Sequence, residues 1–94
     1  MNVPDPQSRP ALAPRVRLRA DPVTGEPVLL YPEGILILNP TAHEIVTRCD
    51  GEITVDGLIR LLYDEYEESE ETLRHDVLET LADLKQRNLI VLAP

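Results

Sequence analysis

Apolar and polar residues change places along the chain with two different periods, and the change divides it. Arg15-Val16-Arg17-Leu18-Arg19 alternates with period two, which predicts a strand with one buried face. Asp21-Pro22 and Thr24-Gly25-Glu26 supply turn chemistry. Val28-Leu29-Leu30-Tyr31 predicts a second strand and Ile35-Leu36-Ile37-Leu38 a third. Pro32-Glu33-Gly34 between them reads as a tight turn, with proline presetting φ and glycine accepting a positive φ, so the pair predicts a hairpin. Four apolar residues in a row bury both faces of the third strand, or leave one face for something else.

From residue 39 the period becomes helical. Asn39 is a good N-cap and Pro40 suits the first helical position, while Thr41 and Glu44 have capping-box spacing and offer a competing start. Ala42, Ile45, Val46 and Cys49 form a buried stripe, and Asp50-Gly51 is the expected helix end. Thr54 caps a second helix, in which Val55, Leu58, Ile59, Leu62 and Tyr66 form one amphipathic face. Ser69 caps a third helix, with Glu70 and Glu71 at the positive end of its dipole and Leu73, Val77, Leu81 and Leu84 as its main stripe. Lys85 and Arg87 fall in its last turn. Leu89-Ile90-Val91-Leu92 is a short strand or an apolar tail. The order is that of an α+β protein, winged-helix-like, with a three-stranded antiparallel sheet followed by a three-helix bundle.

Residues 1–14 contain four of the nine prolines, which predicts a flexible arm without a regular ladder, followed by a single domain over residues 15–94. Charge is segregated. The net charge is −8; Leu61 to Leu84 holds nine acidic residues and one Arg, whereas Arg9, Arg15, Arg17 and Arg19 lie at or near the arm. The arm therefore either lies against an acidic face, of its own chain or a second copy, or both surfaces are simply solvated. With no Phe, no Trp and three Tyr among 94 residues, the core must be Leu, Ile and Val, with little room for a deep catalytic cavity. The longest apolar runs are four or five residues, against the ~18 needed to cross a bilayer. A single cysteine and an amino terminus without a charged-then-apolar pattern lead us to expect a cytoplasmic protein with no membrane partner.

Catalytic chemistry is hard to assemble. His43 and His75 are far apart, with no Cys or His at ligand spacing, so no metal site is expected. Cys49 lies on an apolar stripe and reads as a structural thiol. Gly25, Gly34, Gly51 and Gly57 make no phosphate-cradling cluster. A helix-turn-helix reading suggests DNA, but Glu70, Glu71, Asp76, Glu79 and Asp83 on the third helix would repel phosphates, so no nucleic-acid partner is expected.

What the pattern leaves is a binding surface. The third strand is more apolar than a one-sided strand requires. On the third helix Arg74, Leu78, Leu81 and Lys85 align beside the core stripe. A strand edge next to such a flank makes a groove for an extended peptide added as a further strand. Four or five main-chain hydrogen bonds and two aliphatic anchors would give about 5–13 kcal/mol gross. Ordering costs reduce that to a micromolar-scale affinity. Leu78 and the third strand could instead complete the core or pack a homodimer.

Leu30-Tyr31-Pro32-Glu33-Gly34, then Leu38-Asn39, Thr41-Ala42, Ile45 and Cys49-Asp50-Gly51, resemble the pyrroloquinoline quinone (PQQ) biosynthesis protein D family, PqqD. The spacing on to Thr54-Val55, Tyr66, Asp76-Val77, Leu81 and Leu84 also matches, so the resemblance covers roughly residues 15–92. It implies a peptide chaperone of the RiPP recognition element type, with a winged-helix-like fold. Such a protein binds the precursor peptide PqqA and presents it to the radical SAM enzyme PqqE, without catalytic residues or a cofactor of its own. The resemblance also implies that the peptide lies between the third strand and the third helix, at Ile35, Leu36, Ile37, Leu38, Val77 and Leu81. Arg74, Leu78 and Lys85 come from the helical wheel. Where the family often has an aromatic in the third helix this chain has Thr80, and where it often has Arg-Gly-Trp it has Arg87-Asn88-Leu89. Asn88 can take the left-handed cap that glycine would occupy. A winged-helix transcription regulator and a structural dimerisation module are the alternatives.

Overall fold

The computed structural model describes residues 4–94. Five strands and three helices follow one another: β1 (Arg9–Leu12), β2 (Arg17–Ala20), β3 (Pro27–Tyr31), β4 (Gly34–Ile37), α1 (Pro40–Thr47), α2 (Val55–Glu65), α3 (Glu70–Gln86) and β5 (Ile90–Ala93). The α+β class and the three-stranded antiparallel sheet, in order β2-β3-β4, are as the pattern predicts. Val16 and Leu29 are buried and Leu18 half-buried, while Arg17 and Arg19 are exposed, so the alternation does set the inner face of this sheet.

The β3–β4 hairpin turns on different residues from those expected. Tyr31 pairs with Gly34, so the loop is Pro32-Glu33 alone and Gly34 is already the first residue of β4. Gly34 does not adopt a positive φ; the register places it in the ladder, where extended backbone suffices.

All three helix starts follow the sequence. Asn39 Oδ1 accepts from the Ala42 N–H at 2.7 Å, Thr54 Oγ1 from Gly57 at 3.0 Å and Ser69 Oγ from Thr72 at 3.1 Å. Asn39 prevails over Thr41 because Pro40 supplies a first-turn φ and lacks only an N–H that would be orphaned there. At its other end α3 finishes in a Schellman motif. Asn88 has φ +62°, its N–H donates to Lys85 O, and the Leu89 N–H donates to Leu84 O at 2.9 Å. Two ends depart from expectation. α2 stops at Glu65, so Tyr66 turns out of the helix and is 40 % exposed rather than part of the stripe. α1 stops at Thr47, three residues before Asp50-Gly51.

Residues 9–12 overturn the expectation of an arm without a ladder. They form β1, antiparallel to β5 with Arg9 opposite Ala93 and Leu12 opposite Ile90. Proline is tolerated because of its parity. The Ala13 N–H donates to Leu89 O, so the residues bonded across this ladder are the odd-numbered ones of β1. Pro10 faces the other way, where its carbonyl accepts from the Gly51 N–H at 2.9 Å and its missing N–H removes no ladder bond. Gly51 has φ +81°, and Ala11 forms an isolated bridge with Asp50. Asp50-Gly51 thus receives the outer side of β1 instead of ending α1. The segment before β1 is also tied down: Ser8 O and Pro6 O accept from Val55 and Asp56, two otherwise free donors of the first turn of α2. Residues 1–3 of the expected arm lie outside the described residues.

One aliphatic cluster joins all of this. It contains Val16, Leu29 and Leu38 from the sheet region, Ile45, Val46 and Cys49 from the first helix and its exit, Val55, Leu58, Ile59 and Leu62 from α2, Val77, Leu81 and Leu84 from α3, and Leu89 and Ile90. No helix among the described residues is long and apolar enough to cross a membrane.

Candidate functional site: the open edge of strand β4

Within the β2-β3-β4 sheet, β4 is hydrogen-bonded on one side only. Which of its groups face outward follows from the register. The Leu38 N–H donates to Pro27 O at 3.0 Å, so Pro27 and Leu38 are a bonded pair. Bonded pairs alternate along an antiparallel ladder, which makes Leu29–Leu36 and Tyr31–Gly34 the other two. The N–H and C=O groups of Ile35 and Ile37 therefore point away from β3. These four groups have no ladder partner among the described residues and can pair with another extended chain.

The side chains divide by the same parity. Leu36 and Leu38 point inward; Leu38 belongs to the core cluster and Leu36 packs against it. Ile35 and Ile37 point to the opposite face and are 60 % and 62 % exposed. From Gly34 to Leu38 no side chain is charged.

The residues expected on α3 fall into three kinds. Val77 and Leu81 are fully buried in the cluster that holds Leu38, so they belong to the core rather than to a surface. Leu78 is half-buried and packs against that cluster. Arg74 and Lys85 have neighbours other than β4. The Arg74 guanidinium bridges Asp56 at 3.1 Å and Glu70 at 3.3 Å, and the hydrogen bonds it donates to these two carboxylates raise its pKa further. Lys85 lines a recess of about 520 Å3 with Pro4, Asp5, Gln7, Ser8, Leu92 and Pro94, none of them from β4. Leu30, which sequence reasoning did not single out, lies beside Ile35 on the outer face. Its signal is the hairpin register, visible only once Tyr31 is known to pair with Gly34.

Other chemistry is sparse around the site. Cys49 is 6 % exposed, and its thiol donates to Ile45 O at 3.3 Å. Burial first, and the Asp50 charge second, push its pKa up to about 12. Arg48 joins Glu44 at 2.7 Å to Glu65 at 2.6 Å, clamping α1 to the end of α2. His75 pairs with Glu79 on the exposed side of α3. The described residues contain no cluster of three or more His, Cys, Asp or Glu suited to a metal ion.

Comparison with known proteins gives this arrangement a family. Residues 26–90, which span the β3–β4 hairpin and all three helices, match the family model for coenzyme PQQ synthesis protein D (PqqD). A PqqA binding protein of Azotobacter vinelandii is 34 % identical over 83 residues, covering 88 % of this chain and 89 % of its own. The bifunctional coenzyme PQQ synthesis protein C/D of Methylorubrum extorquens is 33 % identical over 81 residues, 86 % of this chain and 22 % of that longer protein. The solution structure of the PqqD portion of Methylobacterium extorquens PqqCD, described as a functional, stand-alone RiPP recognition element, superposes with a TM-score of 0.73 at 33 % identity, covering 87 % of each chain. The chain belongs to the PqqD family.

Proposed function

We propose that this protein is a non-catalytic carrier in PQQ biosynthesis, which binds the precursor peptide PqqA as an added strand on β4 and presents it to the radical SAM enzyme PqqE. The observation that carries the reading is the open edge of β4, with the main-chain groups of Ile35 and Ile37 unpaired among the described residues and no charged side chain along it. Relatives named as PqqA binding proteins support the choice of peptide. Four main-chain bonds at about 0.5–1.5 kcal/mol net give about 2–6 kcal/mol. Side-chain contacts must supply the remainder of a micromolar affinity. Peptide residues facing inward meet Leu36 and the α3 side; their sequence decides specificity, as in other strand-addition complexes. Ordering the peptide as one more strand fixes its backbone while leaving its far edge open to the enzyme. A second copy of the chain would compete for the same edge, and the single buried thiol suits a reducing cytoplasm.

The test is an NMR titration of isotope-labelled protein with synthetic PqqA peptide. Saturable shifts centred on the amides of Ile35 to Leu38, with smaller ones on the α3 side, are expected. Shifts confined to the recess around Lys85, or none at hundreds of micromolar protein, would reject strand addition at β4.

A further inference from the structure

The outer face of the β2-β3-β4 sheet is not used by the core. Cross-strand register lays two rows across it: Arg17, Leu30 and Ile35 in one, Arg19, Val28 and Ile37 in the other. Leu30, Ile35 and Ile37 are 36 %, 60 % and 62 % exposed. Val28 is buried yet stands outside the central cluster, so an apolar patch exists on this side as well. Natural edge strands are usually protected by lysine, proline or a bulge. β4 has none of these, and its two exposed isoleucines are the same residues whose main chains face the open edge.

The patch is continuous with that edge, and its far end is cationic. Arg17 makes no ion pair among the described residues, and Arg19 bonds only the Leu18 carbonyl there. A second sheet packed over the whole face would desolvate both guanidinium groups without partners. A single added strand extends the apolar end alone. In an antiparallel addition the residues hydrogen-bonded to Ile35 and Ile37 sit directly opposite them, with side chains on the same face.

We infer that this outer face is a second reading surface for the bound peptide: two peptide side chains, two residues apart and opposite Ile35 and Ile37, are aliphatic or aromatic and complete the two rows. The peptide is then read on both of its faces, inward against Leu36 and outward against the isoleucines. This rests on strand addition at β4, and it names the residues that select among peptides able to add.

The experiment compares the wild-type chain with the double variant Ile35→Thr/Ile37→Thr, titrated with synthetic PqqA peptide and with a serine scan of that peptide. Threonine keeps the β-branched strand preference at both exposed positions, and a dispersed amide spectrum verifies the fold. Losing two aliphatic cross-strand pairs should weaken binding about tenfold. Two peptide positions, spaced by two, should show a serine penalty with the wild-type chain and none with the variant. Hydrogen exchange of residue 35 and 37 amides in the saturated complex reads strand addition separately. Protected amides with Kd within twofold of wild type overturn the second surface and leave the carrier reading standing. A loss without any such spaced pair of positions also overturns it. Unprotected amides with unchanged Kd remove both.

Discussion

Replacing Ile37 with proline tests the edge with little disturbance to the rest of the molecule. The Ile37 N–H points away from β3, so proline removes no bond of the existing ladder. Ile37 is 62 % exposed, so at about 1.5–3 kcal/mol for a fully buried aliphatic side chain the lost burial is near 1 kcal/mol. For a domain of this size that lowers Tm by about 4–8 °C. In the complex the same change deletes one of four main-chain bonds and leaves a peptide carbonyl facing a ring without a donor. That is worth about 1–3 kcal/mol, or roughly 5- to 150-fold in Kd. Leu36→Pro is the internal control. It removes the ladder N–H that bonds the Leu29 carbonyl and should cost about 1–3 kcal/mol for leaving that buried acceptor unpaired, on top of the lost packing of Leu36. Differential scanning calorimetry and isothermal titration with PqqA peptide measure the two quantities. Equal destabilisation by the two prolines would refute the parity derived from the Leu38–Pro27 bond. Unchanged peptide affinity in a folded Ile37→Pro chain would refute strand addition.

Three further outcomes follow from the packing. Cys49 should make stability fall at high pH: its folded pKa is raised to about 12 against an ordinary 9.0, so the unfolded chain ionises first. The contribution is fully present below about pH 9 and declines by up to about 1.4 kcal/mol per pH unit until pH 12, a slope that chemical denaturation should find missing in Cys49→Ala. Gly51→Ala places its Cβ 3.6 Å from that of Ala11, an ordinary contact, so the loss should be the left-handed backbone penalty alone, about 1–2 kcal/mol by urea unfolding. A much larger loss would mean that the β1 contact is displaced. Arg48→Met should lower stability by about 1 kcal/mol at low salt and by less in 1 M NaCl, because both of its carboxylate partners are partly solvated; a salt-independent loss would contradict an electrostatic clamp.

The carrier reading explains why β4 has no second ladder partner among the described residues and carries no charged side chain along that edge. A strand meant to accept a foreign segment cannot carry the lysines or prolines that protect an ordinary edge. On that reading the acidic surface of α3 stays solvated, since the main-chain edge and not the helix would supply the hydrogen bonds.

What the chain's own sequence determined were the helix starts and the end of α3, which depend on neighbours within a few residues. Asn39, Thr54 and Ser69 cap helices by bonds to residues three further on, and Asn88 takes a left-handed cap through bonds inside the same turn. Strand alternation marked the sheet, and the Tyr-Pro-Glu-Gly and Cys-Asp-Gly segments pointed to the PqqD family. Tertiary structure alone decided the rest. β1 exists because Arg9–Leu12 meets Ile90–Ala93 about eighty residues away, a pairing that no local pattern announces and that proline content argues against. Asp50-Gly51 reads locally as a helix end and instead receives Pro10, and the ion pairs of Arg74 with Asp56 and Glu70 are set by the packing of α2 against α3 and by the turn of α3. The same holds for β4: an apolar run of four says that the strand is apolar on both faces, but only the register with β3 decides that Ile35 and Ile37 carry the open main chain. Local propensity is a property of a segment, whereas an edge is defined by what fails to pair with it, and that is settled only when the whole chain has closed.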